Sequence, residues 1–204
     1  MYRALNVLVA CETSGAVRDA FRARGANAWS VDPLPTTTPG NHFLNTLENL
    51  EIEPGEWDLL IAHPPYTYLC SSGLHWNRRR PGRTEQTEKA LDFVRYVMLL
   101  PVPRICIENP IGCISTRIRK PDQIIQPHQF GEDASKATCL WLRGLPLLTH
   151  TKSIAPRWIA DKPRWANQTD SGQNRLSPSA DRWSKRSATY PGIAAAMATQ
   201  WSDL

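Results

Sequence analysis

No run of apolar residues in the chain approaches the roughly 20 needed to cross a bilayer, and the first residues lack the basic-then-apolar pattern of a secretory leader. No CxxC pair occurs. The five cysteines, Cys11, Cys70, Cys106, Cys113 and Cys139, are odd in number and scattered. That argues against a metal site or a disulfide framework, and for free thiols in a reducing cytoplasm. No GxxxxGK[ST] loop is present to cradle a triphosphate, and no internal repeat divides the chain.

What is present suits one globular domain over residues 1–204, with 41% hydrophobic and 21% charged residues. Seventeen prolines and eight tryptophans stand out. Proline limits helix length, so long ordered loops are expected. The net charge of +5 and pI near 9.1 are compatible with a polyanionic partner without demanding one. From Lys152 to Arg186, basic residues outnumber acids, and Trp158, Trp165 and Trp183 sit among them. A solvated face with scattered core tryptophans explains such a stretch as well as a nucleic-acid surface does. Residues 149–188 are expected to form a basic, loop-rich, substrate-binding insertion.

Residues 6–10 are a short run of β-formers, followed by a turn at Glu12–Gly15 and a helical pattern from Ala16 to Arg24 with Val17, Ala20 and Phe21 on one face. Residues 28–31 read as a second strand ending at Asp32. This strand–turn–helix–strand unit predicts an α/β, doubly wound, Rossmann-like fold. Residues 57–62 predict a strand stopped by His63-Pro64-Pro65, Glu85–Leu100 a helix, and 104–107 a buried strand ending in Glu108-Asn109-Pro110. Further on, 138–142 predict a strand and 193–201 a helix. Arg78–Arg83 read as a mobile basic loop.

In open α/β sheets, side chains at strand C-terminal ends converge on the binding crevice. Three such ends carry unusual groups: Cys11-Glu12-Thr13-Ser14-Gly15, His63-Pro64-Pro65-Tyr66 and Glu108-Asn109-Pro110. In the first, Ser14 and Gly15 let backbone approach a ligand, and the helix N-terminus at Ala16 offers N–H groups to a carboxylate. Asp32 is placed to accept hydrogen bonds from ribose hydroxyls. An ordinary turn with a capping aspartate would look the same. In the second, consecutive prolines fix the backbone and leave carbonyls for exocyclic amino protons, while Tyr66 can stack on a flat base. Glu108 follows an apolar strand, and a carboxyl there can do acid/base work.

In their order these pieces resemble the cytosine-5 DNA methyltransferases, and more closely short phage-encoded proteins of that type. Residues 9–15 lie where the family has its cofactor turn, Asp32 near its ribose-binding acid, and 58–65 along its strand to the Pro-Cys loop. Residues 107–110 match its Glu-Asn-Val element, 182–186 its arginine-bearing strand, and 190–201 its C-terminal helix beside the cofactor. The resemblance implies S-adenosylmethionine as cofactor, DNA as substrate and a base, most readily cytosine, flipped into the site. It places the cofactor against Cys11, Glu12, Thr13, Ser14, Gly15, Asp32, Asn45, His63, Pro64 and Ala194. The base would lie against His63, Pro65, Tyr66, Glu108, Asn109 and Arg186.

Two departures bear on the chemistry. Tyr66 stands where the family has its nucleophilic cysteine, and a phenol with pKa about 10 is a poor substitute for a thiol of about 8.5. Cys70, four residues on, reaches the site only if the loop rearranges. His-Pro-Pro-Tyr itself resembles the Asp/Asn/Ser-Pro-Pro-Tyr motif of amino methyltransferases, which transfer directly to an exocyclic nitrogen. That implies N4-cytosine or N6-adenine methylation, with His63 in the polar position and Tyr66 stacking. A catalytically inactive binding homologue is the alternative of another class, and a free nucleotide substrate also stays open. Phosphate contacts are expected from Arg78, Arg79, Arg80 and Arg83 beside the loop, and from Arg157, Lys162, Arg164, Arg175 and Arg182 in the insertion.

Overall fold

The computed structural model describes residues 3–179 and 182–203; residues 1, 2, 180, 181 and 204 and the side chains of Trp183 and Ser184 lie outside that description. The strands are β1 (Asn6–Ala10), β2 (Asn27–Asp32), β3 (His42–Leu44), β4 (Leu59–Ala62), β5 (Arg104–Pro110), β6 (Gln123–Ile125), β7 (Thr138–Arg143), β8 (Arg157–Ile159) and β9 (Lys162–Arg164). The helices are α1 (Ala16–Ala23), α2 (Ser71–Leu74), α3 (Arg83–Leu99), α4 (Ile114–Arg117), α5 (Arg182–Ser187) and α6 (Pro191–Trp201).

Seven strands form one sheet in the order β3-β2-β1-β4-β5-β7-β6. The first five are parallel, and β7 runs antiparallel to both β5 and β6. The expected doubly wound α/β fold is therefore present. It differs from the simplest dinucleotide-binding order by the reversed strand slotted between β5 and β6.

Both faces of the sheet are covered, and the period of two along each strand decides which residue goes where. On β1, Leu8 and Ala10 join Leu60, Ala62, Ile105 and Ile107 on the face packed by Leu91, Val94 and Val97 of α3. Val7 and Val9 join Leu59, Ile61 and Cys106 on the other face, against Val17 and Phe21 of α1 and Ile193, Met197 and Trp201 of α6. Burial on both faces explains why these strands read as continuous apolar runs. Among the described residues no helix is long and apolar enough to cross a membrane.

Two sequence expectations are corrected. Residues 182–186 form helix α5, not a strand. Residues 78–83 are not a free basic loop: a 3-10 turn spans His75–Arg78 and α3 begins at Arg83. There, Arg80 lies 4.2 Å over the Trp76 ring and Arg83 4.3 Å over the Tyr68 ring. Within the 149–188 segment, β8 and β9 form a hairpin whose arginines stitch the following loop rather than standing free. Arg157 pairs with Asp170 and donates to the Gln168 carbonyl, Arg164 donates to the Asp170 carbonyl, and Arg175 to the Gln168 carbonyl. Lys162 and Trp158 remain exposed on the hairpin.

The segment carrying Tyr66 is held against β5's exit. Cys70 pairs with Gly112 in an isolated bridge, and Cys113 N–H donates to the Leu69 carbonyl at 2.8 Å. A Cβ at Gly112 would run into that Leu69 carbonyl oxygen and the Cys70 backbone. Backbone on both sides of the clash leaves little room to yield. Gly112→Ala is therefore expected to destabilise the protein by about 1–3 kcal/mol, as overpacking does, measured as a shift in urea midpoint at unchanged slope.

Candidate active site

The parallel ladders bring four strand ends level. Ala10 is paired with both Val31 and Ala62, and Ala62 with Ile107. The next residue of each strand, Cys11, Asp32, His63 and Glu108, therefore lies at one level along the sheet's C-terminal edge. Two hydrogen bonds extend the ladder past the strands: Cys11 N–H to the Val31 carbonyl at 2.8 Å and His63 N–H to the Ala10 carbonyl at 3.0 Å. At this edge lies a pocket of about 380 Å³. Cys11, Glu12, Thr13 and Ser14 line it with Asp32, His63, Pro64, Pro65, Tyr66, Glu108 and Asn109. Pro33, Leu34, Thr67, Pro110, Lys136, Ser187, Ala188 and Thr189 complete the wall.

At the first turn, the helix N-terminus is already filled. Glu12 is 4% exposed, and its carboxylate accepts Val17 N–H at 2.7 Å and Arg18 N–H at 3.2 Å. Ser14 Oγ accepts Ala16 N–H at 3.3 Å. The chain caps its own helix with an anion, which satisfies the donors and the dipole together. The N–H groups expected to receive a ligand carboxylate are thus occupied. Gly15, at φ 71, packs toward Thr38 and the Arg18 guanidinium and not into the pocket. Arg18 is itself fully buried and donates to Ser30, Thr36, Thr38 and Asp19, tying α1 to the loop after β2.

Asp32 is half-buried at the tip of β2. Its Oδ1 accepts Leu34 N–H at 2.9 Å, and its pKa is raised by burial, against the lowering effects of that hydrogen bond and of His42. Its other oxygen has no hydrogen bond among the described residues. Leu34, 46% exposed, supplies an apolar surface beside it. Asn45 is elsewhere: its N–H donates to the Asp32 carbonyl, and its side chain is spent on Thr46 and Asn49. Ala194 is buried in the core on α6 and does not line the pocket.

The centre of the pocket is an ion pair. His63 Nδ1 is hydrogen-bonded to Glu108 Oε2, and Thr189 Oγ1 reaches the same oxygen at 3.5 Å. Burial is the largest single influence on His63 and pushes its pKa down, yet the charge and hydrogen bond of Glu108 and the charge of Glu12 outweigh it, leaving the ring above its ordinary value. Lys136 opposes that rise. Glu108 moves the other way: burial raises it, but His63, Lys136 and Thr189 together hold it below the usual carboxylate value. Both shifts favour the charged forms, imidazolium for His63 and carboxylate for Glu108.

Asn109, 2% exposed, donates from Nδ2 to the Pro64 carbonyl at 2.7 Å, so that carbonyl is not wholly free for a ligand. His63 Nε2 and Asn109 Oδ1 are buried and find no hydrogen-bond partner among the described residues. The only thiol on the pocket wall is Cys11, which burial, Asp32 and Glu48 push up to about 12.

A second cavity of about 260 Å³ shares Tyr66, Pro110 and Lys136 with the first. Cys70, Tyr190, Arg186 and the loop residues Asn167, Gln168 and Asn174 line it. Arg186, expected at the base, therefore lies in this neighbouring cavity. Arg175 and Arg182 line a third, open depression. Arg78 and Arg79 are exposed at the end of the 3-10 turn. Sequence reasoning missed Lys136 and Thr189. Lys136 donates to the Arg186 carbonyl at 2.9 Å and lies 6.0 Å from the Tyr190 ring. No local pattern marks a lysine in an irregular stretch before β7, so nothing in the sequence pointed to it.

The pair has a measurable pH signature. His63's share of stability is fully present below its ordinary pKa of about 6.5 and lost as pH rises through the higher folded value; Glu108's share is present above about 4.5 and lost as pH falls through its lower folded value. A ¹⁵N-histidine titration is expected to place His63 above about 6.5, and Glu108→Gln to bring it down, because burial then acts with less opposition.

No family model and no curated protein matches the chain. Among solved structures it is similar to a protein assigned as a DNA modification methyltransferase, encoded within an E. coli prophage, at 13% identity and TM-score 0.42 over 68% of this chain and 46% of that one. It is also similar to the Entamoeba histolytica methyltransferase EhMeth, at 16% identity and TM-score 0.46 over 76% of this chain and 59% of that one. A third similar structure is the S. pombe Dnmt2 methyltransferase, at 17% identity and TM-score 0.38 over 77% and 52%. The chain spans about half the length of these proteins.

Proposed function

We propose that the protein is an S-adenosylmethionine-dependent DNA methyltransferase that acts on an exocyclic amine of a flipped base, cytosine or adenine. The observation that carries this reading is the single pocket at four level strand ends, with an acid for a ribose, a tyrosine for a planar ring and a buried polar pair between them. The similar solved structures are themselves described as methyltransferases, in keeping with the reading.

The pocket fits such a cofactor at its ribose end. Asp32 keeps one carboxylate oxygen for the hydroxyls, and Leu34 offers the adenine an apolar neighbour. Glu12, buried at the opposite side of the turn, suits an α-ammonium better than a carboxylate. When bound, the cofactor supplies an electrophilic methyl group. The chain's own residues orient the acceptor: Tyr66 stacks on the ring, and His63 and Asn109 face it with polar atoms.

Transfer to carbon 5 of cytosine fits less well. That route needs a thiolate on the ring and an acid at N3. Tyr66 replaces the thiol, Cys11 holds its proton to about 12, and Glu108 is an anion. Direct transfer to an amine needs neither.

Incubation of unmethylated DNA with methyl-labelled cofactor, followed by nucleoside mass spectrometry, tests the reading. N4-methylcytosine or N6-methyladenine is the expected product; 5-methylcytosine would overturn the amine assignment, and no product would favour a binding homologue. Asp32→Ala is expected to weaken cofactor binding at least tenfold by calorimetry, since a hydrogen bond to a charged group contributes about 1.5–3 kcal/mol. Tyr66→Ala is expected to lower kcat/KM by about tenfold or more through lost stacking, which contributes about 1–3 kcal/mol per base.

A further inference from the structure

Two buried polar atoms in this pocket have no partner among the described residues: His63 Nε2 and Asn109 Oδ1. An unmatched buried polar group costs about 1–3 kcal/mol, so two at the ends of the neighbouring strands β4 and β5 mark a place where something else completes them. Each is held by its far end. Glu108 takes the Nδ1 side of the imidazole, and the Pro64 carbonyl takes the Nδ2 side of the amide. The second bond also settles which amide atom is which, because only the NH₂ can donate to a carbonyl. The His63 imidazole and the Asn109 amide are thus aimed by Glu108 and by the Pro64 carbonyl.

We propose that these two atoms form a donor–acceptor couple that reads the amidine edge of the target base, a ring nitrogen beside an exocyclic amine. His63 Nε2–H donates to N3 of cytosine or N1 of adenine, and Asn109 Oδ1 accepts from the adjacent NH₂. The couple deepens the methyltransferase reading and rests on it for the identity of the ligand. The Glu108 carboxylate at Nδ1 favours the charged imidazole, and in that form Nε2 is a donor only and rejects a ring N–H at that position. Thymine and guanine carry an N–H there; cytosine and adenine carry a lone pair. Glu108 acts behind His63 as a positioning residue, and the Pro64 carbonyl acts behind Asn109. The recognition atoms are therefore not the carboxylate and proline carbonyl that stand out in the sequence.

Atom-deleted bases test the couple without requiring turnover. Fluorescently labelled single strands of thymidine carrying one central cytosine, 3-deazacytosine or 2-pyrimidinone are titrated with the full-length protein and read by anisotropy, with and without S-adenosylhomocysteine. The matched adenine set uses 1-deazaadenine and purine. Each deletion is expected to weaken binding about tenfold, the discrimination a good polar pair gives. Asn109→Ala is expected to level cytosine with 2-pyrimidinone while keeping the 3-deazacytosine loss, and His63→Phe the reverse. If a variant does not fold, judged by circular dichroism, the wild-type analogue series decides.

Equal affinity for all strands, or no binding of any, overturns the couple; in that case solvent completes the two atoms. The methyltransferase reading fails separately. Discrimination without cofactor binding keeps the couple and removes methyl transfer, whereas amine methylation with indifferent analogue binding keeps the enzyme and removes the couple.

Discussion

Parallel strand pairing is the constraint from which the site follows. Because β1 is in register with β2 and β4, and β4 with β5, four residues far apart in sequence finish at the same height. A shift of one residue in any of these ladders would turn every side chain of that strand to the opposite face of the sheet. The alternating burial of β1, with Val7 and Val9 on one face and Leu8 and Ala10 on the other, prevents that shift. The hydrophobic core thus sets the geometry of a pocket whose wall includes none of the core residues.

Electrostatics are handled by local closure. Glu12 closes the helix N-terminus that would otherwise attract an anion, and Arg18 is consumed by the loop after β2. Glu108 and His63 neutralise each other. A buried pair of this kind gains little net stability against an apolar alternative, because desolvating two charges offsets most of their attraction. Its presence at the pocket is easier to understand through what it does to Nε2, whose direction it sets by holding Nδ1. The arginines of the β8–β9 region follow the same pattern, holding their own loop in place as one wall of the second cavity.

Tyr66 sits where these features meet. It lines both cavities, as do Pro110 and Lys136. Gly112 makes that placement possible by letting the 69–70 backbone approach the turn after β5.

The sequence by itself determined the strand–helix units, the apolar stripe of α3, the C-terminal helix and the three polar strand ends, because alternation and helical periodicity are written in neighbouring residues. Only the tertiary structure decided what those polar groups face. Glu12 turns back onto its own helix, Glu108 meets a histidine 45 positions away, and residues 182–186 are helical where a strand was expected. Lys136 and Thr189 enter the site from an irregular stretch and from the residues before α6, and β7 slots in reversed between β5 and β6. Partners of this kind are set by which strands lie side by side, a long-range outcome of packing that no local pattern records.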